Sequence, residues 1–224
     1  MKFYSLILAL SIGLVFEARA ATVTLDNFNA TSDAGYGIRD ASGVLVAGAG
    51  FKGMMGRFTI SDSAVTTNFA SGDIGTIASS FDGFNPTAAG QFALDNYAAG
   101  LFQGSVDYDT KTASNTFGGS TIYAVLFKGA SLATATEMFI AKLTSTFPTD
   151  PAVGLALTGA GSISPSGIAS ILVGSPSATT NDYGYGGGAL PTYQMALVGA
   201  APEPSRVLLA GLGVMGLVIR RRRK

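Results

Sequence analysis

Polar and apolar residues alternate along Thr22-Val23-Thr24-Leu25-Asp26, the period-two signature of a strand with one buried face. Phe102, Gly104, Val106 and Tyr108 alternate with more polar neighbours in the same way. Ile122 to Phe127 is an unbroken apolar run, as expected of a strand covered on both faces. Gly56 to Ile60, Met138 to Leu143, Val153 to Thr158, Ile168 to Val173 and Tyr193 to Val198 read as further strands. Tyr36 to Arg39 and Val44 to Val46 flank Asp40-Ala41-Ser42-Gly43, a turn-forming tetrad with glycine at its end, which predicts a hairpin. Ser61 and Asp62 can cap a short helix through Phe69, and Ser131 to Thr136 a single helical turn. The Ser-, Gly- and Thr-rich stretch from Gly174 to Gly188 reads as a long loop. About eight to ten short strands separated by turn signals favour an all-β body, an antiparallel β-sandwich or jelly-roll, over βαβ units.

The two ends follow a different pattern. Lys2 precedes an apolar run from Phe3 to Phe16, and Ala18-Arg19-Ala20 supplies the small-x-small pattern that signal peptidase accepts. A signal peptide over residues 1–20, cut before Ala21, is expected. A buried helix or membrane anchor is the alternative, but a bilayer core needs about 20 apolar residues. At the other end, Pro202-Glu203-Pro204-Ser205 precedes an apolar run from Val207 to Ile219, followed by Arg220, Arg221, Arg222, Arg223 and Lys224. Pro202 and Pro204 hold the backbone extended, open to a processing enzyme. The apolar run, 13 residues, is about 20 Å long as a helix, against a hydrocarbon core of about 30 Å. It crosses only if Arg206 and the terminal arginines snorkel or the bilayer thins. The basic cluster belongs on the cytoplasmic side, with the body outside. Gly211, Gly213 and Gly216 spell G-x-G-x-x-G, but no acidic residue follows at the required distance, so they read as small residues of a membrane segment.

This order of motif, apolar helix and arginine cluster, Pro202 to Lys224, resembles the PEP-CTERM sorting signal of Gram-negative bacteria. The resemblance implies recognition by an exosortase, a membrane-embedded transpeptidase-like enzyme that cuts near the Pro-Glu-Pro motif. It also implies an association with bacteria that make extracellular polysaccharide. An uncleaved C-terminal anchor is the alternative. The Tyr36-Gly37-Ile38-Arg39-Asp40 segment, Gly118 to Phe127, Ala133 to Glu137 and Phe147 to Asp150 are similar in texture to small PEP-CTERM proteins of verrucomicrobial type, which carry no established activity to transfer. The chain thus divides into a signal peptide (1–20), a sandwich body (21–198), a linker (199–201) and a sorting signal (202–224) with its hydrophobic helix at 207–219.

Charge sharpens this division. The formal net charge of the chain is zero, yet the body from Ala21 to Ala201 holds six cationic residues against twelve acidic ones, about −6. That balance argues against a nucleic-acid partner. Composition limits the chemistry further: the chain has no Cys, His or Trp, which excludes a Ser-His-Asp triad, a thiol nucleophile, a disulfide and imidazole or thiolate metal sites.

Carboxylates remain. Asp107 and Asp109 stand at i and i+2, on one face of a strand, where they could bind an extracellular Ca²⁺ or join in glycoside hydrolysis. The plainer reading is a solvated strand end. Tyr183 and Tyr185 could stack on sugar rings or simply cover the core. Met54-Met55 and Gly35, Gly37, Gly48, Gly50 and Gly53 suggest flexible or tightly turning backbone, not a phosphate cradle. Phe51, Phe58, Phe92, Phe102, Phe117, Phe127 and Phe139 are expected in the core.

The expectation is an exported, non-enzymatic surface or extracellular-matrix protein, structural or adhesive, with no cofactor, metal ligand set or catalytic residue. Its partners would be signal peptidase, an exosortase, the inner membrane through the C-terminal segment, and extracellular polysaccharide. The alternative is a secreted carbohydrate-binding or carbohydrate-active domain using Asp107, Asp109 or Glu137 with calcium.

Overall fold

The computed structural model describes residues 20–29, 34–109, 116–149, 157–181 and 189–199. In chain order its strands are β1 (Ala20–Asp26), β2 (Phe28–Asn29), β3 (Ala34–Gly35), β4 (Ile38–Arg39), β5 (Phe51–Phe58), β6 (Phe81–Gly83), β7 (Gln91–Ala93), β8 (Gln103–Asp109), β9 (Thr121–Lys128), β10 (Glu137–Thr146), β11 (Leu157–Ser162), β12 (Ile168–Val173), β13 (Ser175–Asn181), β14 (Leu190–Gln194) and β15 (Ala196–Leu197). Helices α1 (Asp62–Ser71) and α2 (Ile74–Ser80) lie between β5 and β6.

The large sheet runs β12-β10-β9-β5-β6, with β15 added beside β10 and β7 beside β5. A three-stranded sheet, β11-β1-β8, packs on one of its faces. Val23 and Leu25 of β1 and Val106 of β8 meet Met55, Ile122, Ala124, Leu126, Phe139 and Ala141 in one core. Each such large apolar side chain contributes about 1.5–3 kcal/mol on burial. The result is an all-β sandwich, mostly antiparallel, in which β1 pairs parallel with β11 and β14 parallel with β4.

The second face of the large sheet is covered too. Met54, Tyr123, Val125, Phe127, Met138 and Ile140 pack with Val65, Ile74, Ile77 and Leu132 in a separate core beneath the helices. This helical layer explains why β9 is apolar without alternation: every residue from Ile122 to Phe127 is buried. Ser61 caps α1 as its sequence suggested, accepting the Ala64 N–H, and Gly72 ends it. The single turn expected at Ser131–Thr136 is a 3₁₀ turn over Leu132–Thr134. Helix α2, capped by Asp73 through the Thr76 N–H, was not expected, because its Gly, Thr and Ser residues carry little helix signal.

Four sequence expectations need correction. The first half of the 174–188 segment is a strand, β13, paired with β14; its Ser-Thr-rich sequence reflects exposure on both faces. The strand placed at Val153–Thr158 runs on to Ser162, since β11 spans Leu157–Ser162, where Gly159 fits against Pro148 and Gly161 against Leu143. Residues 153–156 lie outside the described ones. The strand at Gly56–Ile60 begins earlier, so Gly53 and Met54-Met55 lie within β5; Gly53 does not interrupt it because the Phe92 ring covers its backbone. Finally, Tyr193–Val198 is divided between β14 and β15 at Met195. The 40–43 turn forms as expected, with Gly43 at φ +88°, although Val44–Val46 contributes only a bridge from Leu45 to Arg39.

Candidate functional site

The path from the body to the C-terminal tail is fixed by backbone contacts. Met195, buried in the sandwich core, donates its N–H to the Arg39 carbonyl at 2.9 Å. Ala196 and Leu197 then pair with Met138 and Glu137 at the start of β10, and Val198 donates to the Thr136 carbonyl at 3.0 Å. Gly199, the next residue, has φ +67°, and Gly72 has φ +77°, both in the left-handed region that favours glycine. A β-carbon on Gly72 would stand 3.4 Å from the Gly199 α-carbon. The tail therefore leaves the body beside the corner between α1 and α2. Leu197, 53% exposed, lies at this exit. At the start of β1, Ala21 pairs with Leu157 of β11, two residues before Gly159, which packs against Pro148.

The structure places Glu137 apart from Asp107 and Asp109, which share one strand. Asp107 is exposed on β8 and accepts the Thr22 hydroxyl at 2.6 Å. Asp109 ends the same strand opposite Ala20. Glu137 belongs to the other sheet, where it is buried. One of its oxygens pairs with the Lys128 ammonium at 2.7 Å and the other accepts the Ala41 N–H at 2.7 Å. The hydrogen bond from Lys128 to Glu137 raises the lysine above its ordinary pKa. Among the described residues no group of three or more acidic side chains is placed to hold a metal ion.

Another polar cluster ties α1 to the large sheet. Tyr123 donates its hydroxyl to Asp62 at 2.6 Å, and Lys142 pairs with the other Asp62 oxygen at 2.9 Å. Hydrogen bonds from Tyr123 and Lys142 hold the Asp62 carboxyl below its ordinary range, while burial and then the Asp62 bond push the Tyr123 phenol up. Burial also raises Asp26, against a hydrogen bond from Ser162, and pushes Tyr193 up to about 12.

Of the processing residues, Ala20 is the first residue of β1. Ala18, the Pro202-Glu203-Pro204 motif, the 207–219 segment and Arg220, Arg221, Arg222, Arg223 and Lys224 lie outside the described residues, as do Tyr183 and Tyr185. Among the described residues no helix is long and apolar enough to cross a membrane. Sequence reasoning did not single out Gly72, Thr136 or Leu197. Gly72 alone carried a readable signal, a glycine just past a helix; its contact with Gly199 is tertiary.

Residues 200–223 match the PEP-CTERM protein-sorting motif. The chain is an exosortase-sorted, exported protein. The PEP-CTERM motif thus begins one residue past Gly199, which packs against Gly72 at the end of α1. No curated protein and no solved structure matches the chain.

Proposed function

We propose that this PEP-CTERM protein is a non-enzymatic component of the cell surface or extracellular matrix, with a structural or adhesive role linked to extracellular polysaccharide. Signal peptidase removes residues 1–20, and the apolar 207–219 segment holds the precursor in the inner membrane until an exosortase acts. One observation carries the reading: the sorting motif follows a body whose partly or fully buried carboxylates serve its own fold. Glu137 holds the 40–43 turn to the large sheet, Asp62 holds α1 to it, and Asp26 joins β1 to β11. Such groups are tied to internal partners rather than arranged as an acid–base pair around an open cleft.

The rival is a carbohydrate-binding body. It draws support from Tyr97, which is 55% exposed and has its ring 4.9 Å from that of Phe28, because an aromatic face with a polar edge suits a sugar. A glycan array probed with the exported protein, with and without chelator, separates the two. The structural reading expects no chelator-sensitive binding; strong, calcium-dependent binding to a defined glycan would replace it with the rival.

A further inference from the structure

We infer that the face from which the tail leaves the body, formed by Ser71 and Gly72 at the end of α1, Thr136 before β10 and Leu197 in β15, docks against the extracytoplasmic surface of the exosortase while the tail is cut. The inference rests on the sorting reading and adds to it an interaction surface on the folded body.

Chain length carries the argument. Gly199 is held by the Val198 hydrogen bond to Thr136 and by its contact with Gly72. Pro202 follows three residues later, so it lies no farther than about 10 Å from Gly199 at full extension. An α-helix with its side chains is about 10–12 Å across. No secondary-structure element of a second protein fits between body and motif. An enzyme that grips the Pro-Glu-Pro segment must therefore reach it from the side, along the face that surrounds the exit. The membrane is close as well. Val207, where the apolar run starts, is eight residues from Gly199, at most about 28 Å. That reach is shorter than β10 itself, whose ten residues extend about 33 Å.

The face suits close approach. Leu197 offers one of the most exposed large apolar side chains among the described residues. Ser71 and Thr136 flank it as small, exposed residues, on the helical layer and on the β9–β10 connection. The other way to gain reach is to unpair β15. Freeing residues 196–199 would let the chain swing from Met195, seven residues before Pro202, and would lengthen the tether to about 24 Å. The two routes differ in which residues matter. Docking makes the enzyme touch Ser71 and Thr136, which are not in the tether; unpairing makes those residues irrelevant.

The test is a pulse-chase of tail removal from the full-length chain in a cell that processes PEP-CTERM proteins. It compares the unsubstituted chain, Ser71→Arg and Thr136→Arg, each with and without about ten Gly and Ser residues inserted after Gly199, a span of about 16–19 Å for a flexible chain. Ser71→Arg places a cation in the last turn of α1, where the helix dipole favours it, so the fold is retained, and thermal melting of both variants checks this. Docking expects each arginine to slow cutting by about tenfold at the native tether length, the effect of losing a well-packed interface contact. It expects the inserted linker to restore the rate. Cutting at the unsubstituted rate without the insertion would overturn the inference in favour of β15 unpairing. Slowing that persists with the insertion would overturn it too, because the effect would then be independent of proximity. Absence of any cutting of the unsubstituted chain would instead defeat the sorting reading itself.

Discussion

Lys128 and Glu137 face each other across the β9–β10 ladder at 2.7 Å, and the second oxygen of the same carboxylate holds the Ala41 N–H. The Gln194 amide donates to the Ala41 carbonyl at 2.9 Å, so the 40–43 turn is tied through Glu137 to the large sheet and through Gln194 to β14, the strand that leads to the tail. Glu137→Gln keeps an acceptor for Ala41 and loses the ion pair, which is half in solvent; the expected loss is about 1 kcal/mol. Glu137→Ala strands the Ala41 N–H as well and costs about 2–3 kcal/mol. Urea unfolding of the two variants checks the order; equal losses would mean that the Ala41 bond contributes nothing.

A second prediction concerns acid. The Asp62 carboxyl is held below its ordinary pKa by Tyr123 and Lys142, so its contribution is present above the unfolded value of about 3.9 and is lost as pH falls through the lower folded value. Asp26 is raised by burial and acts in the opposite sense. Its cost is absent below about pH 3.9 and grows as pH rises through the folded value. Asp26→Asn therefore stabilises the protein at neutral pH and loses that advantage in acid, whereas Asp62→Asn is harmful at neutral pH and less so in acid. Melting temperatures of both variants between about pH 3 and 7 read out the two opposite slopes.

The Phe92 ring covers the backbones of both Gly53 in β5 and Gly104 in β8, and it stacks with Phe102 at a centroid distance of 5.4 Å. A methyl group on Gly104 would run into that ring. Gly104→Ala is expected to cost about 1–3 kcal/mol, as overpacking does. The same change in a Phe92→Ala background should cost much less, with a coupling of about 1 kcal/mol or more in a double-mutant cycle. Additive effects would show that the ring moves aside freely.

Asn27 is fully buried at the end of β1. Its amide donates to the Tyr36 and Gly100 carbonyls at 2.8 and 2.7 Å, and its oxygen accepts the Phe102 N–H at 2.8 Å. Asn27→Asp sets a carboxylate oxygen against two carbonyls with no water to screen them. It should destabilise by about 3 kcal/mol or more at neutral pH, with partial recovery in acid, where a proton restores one donor. Chemical denaturation at two pH values decides this; a neutral effect at both would mean that the loops close without Asn27.

The legible parts of this fold are those where one local rule acts alone. Thr22 to Asp26 alternates because β1 has one covered face, and Ile122 to Phe127 does not because β9 has two. The Ser61 cap is likewise a local signal. What stayed hidden depends on partners distant in sequence. β13 is a strand only because β14 supplies its hydrogen bonds, and Gly53 sits in a strand because Phe92, from β7, fills the place of its side chain. The sorting motif was readable because its parts are contiguous in sequence, from Pro202 to Lys224. The exit that presents it was not, since Gly72, Thr136 and Gly199 meet only in the folded body.

The most direct test of the account is the intact mass of the protein recovered from each cell fraction. The account predicts a mature species that begins at Ala21, lacks the apolar 207–219 segment and the arginine cluster, and is found outside the inner membrane. A species that retains Val207 to Lys224 and remains in the inner membrane fraction would contradict it.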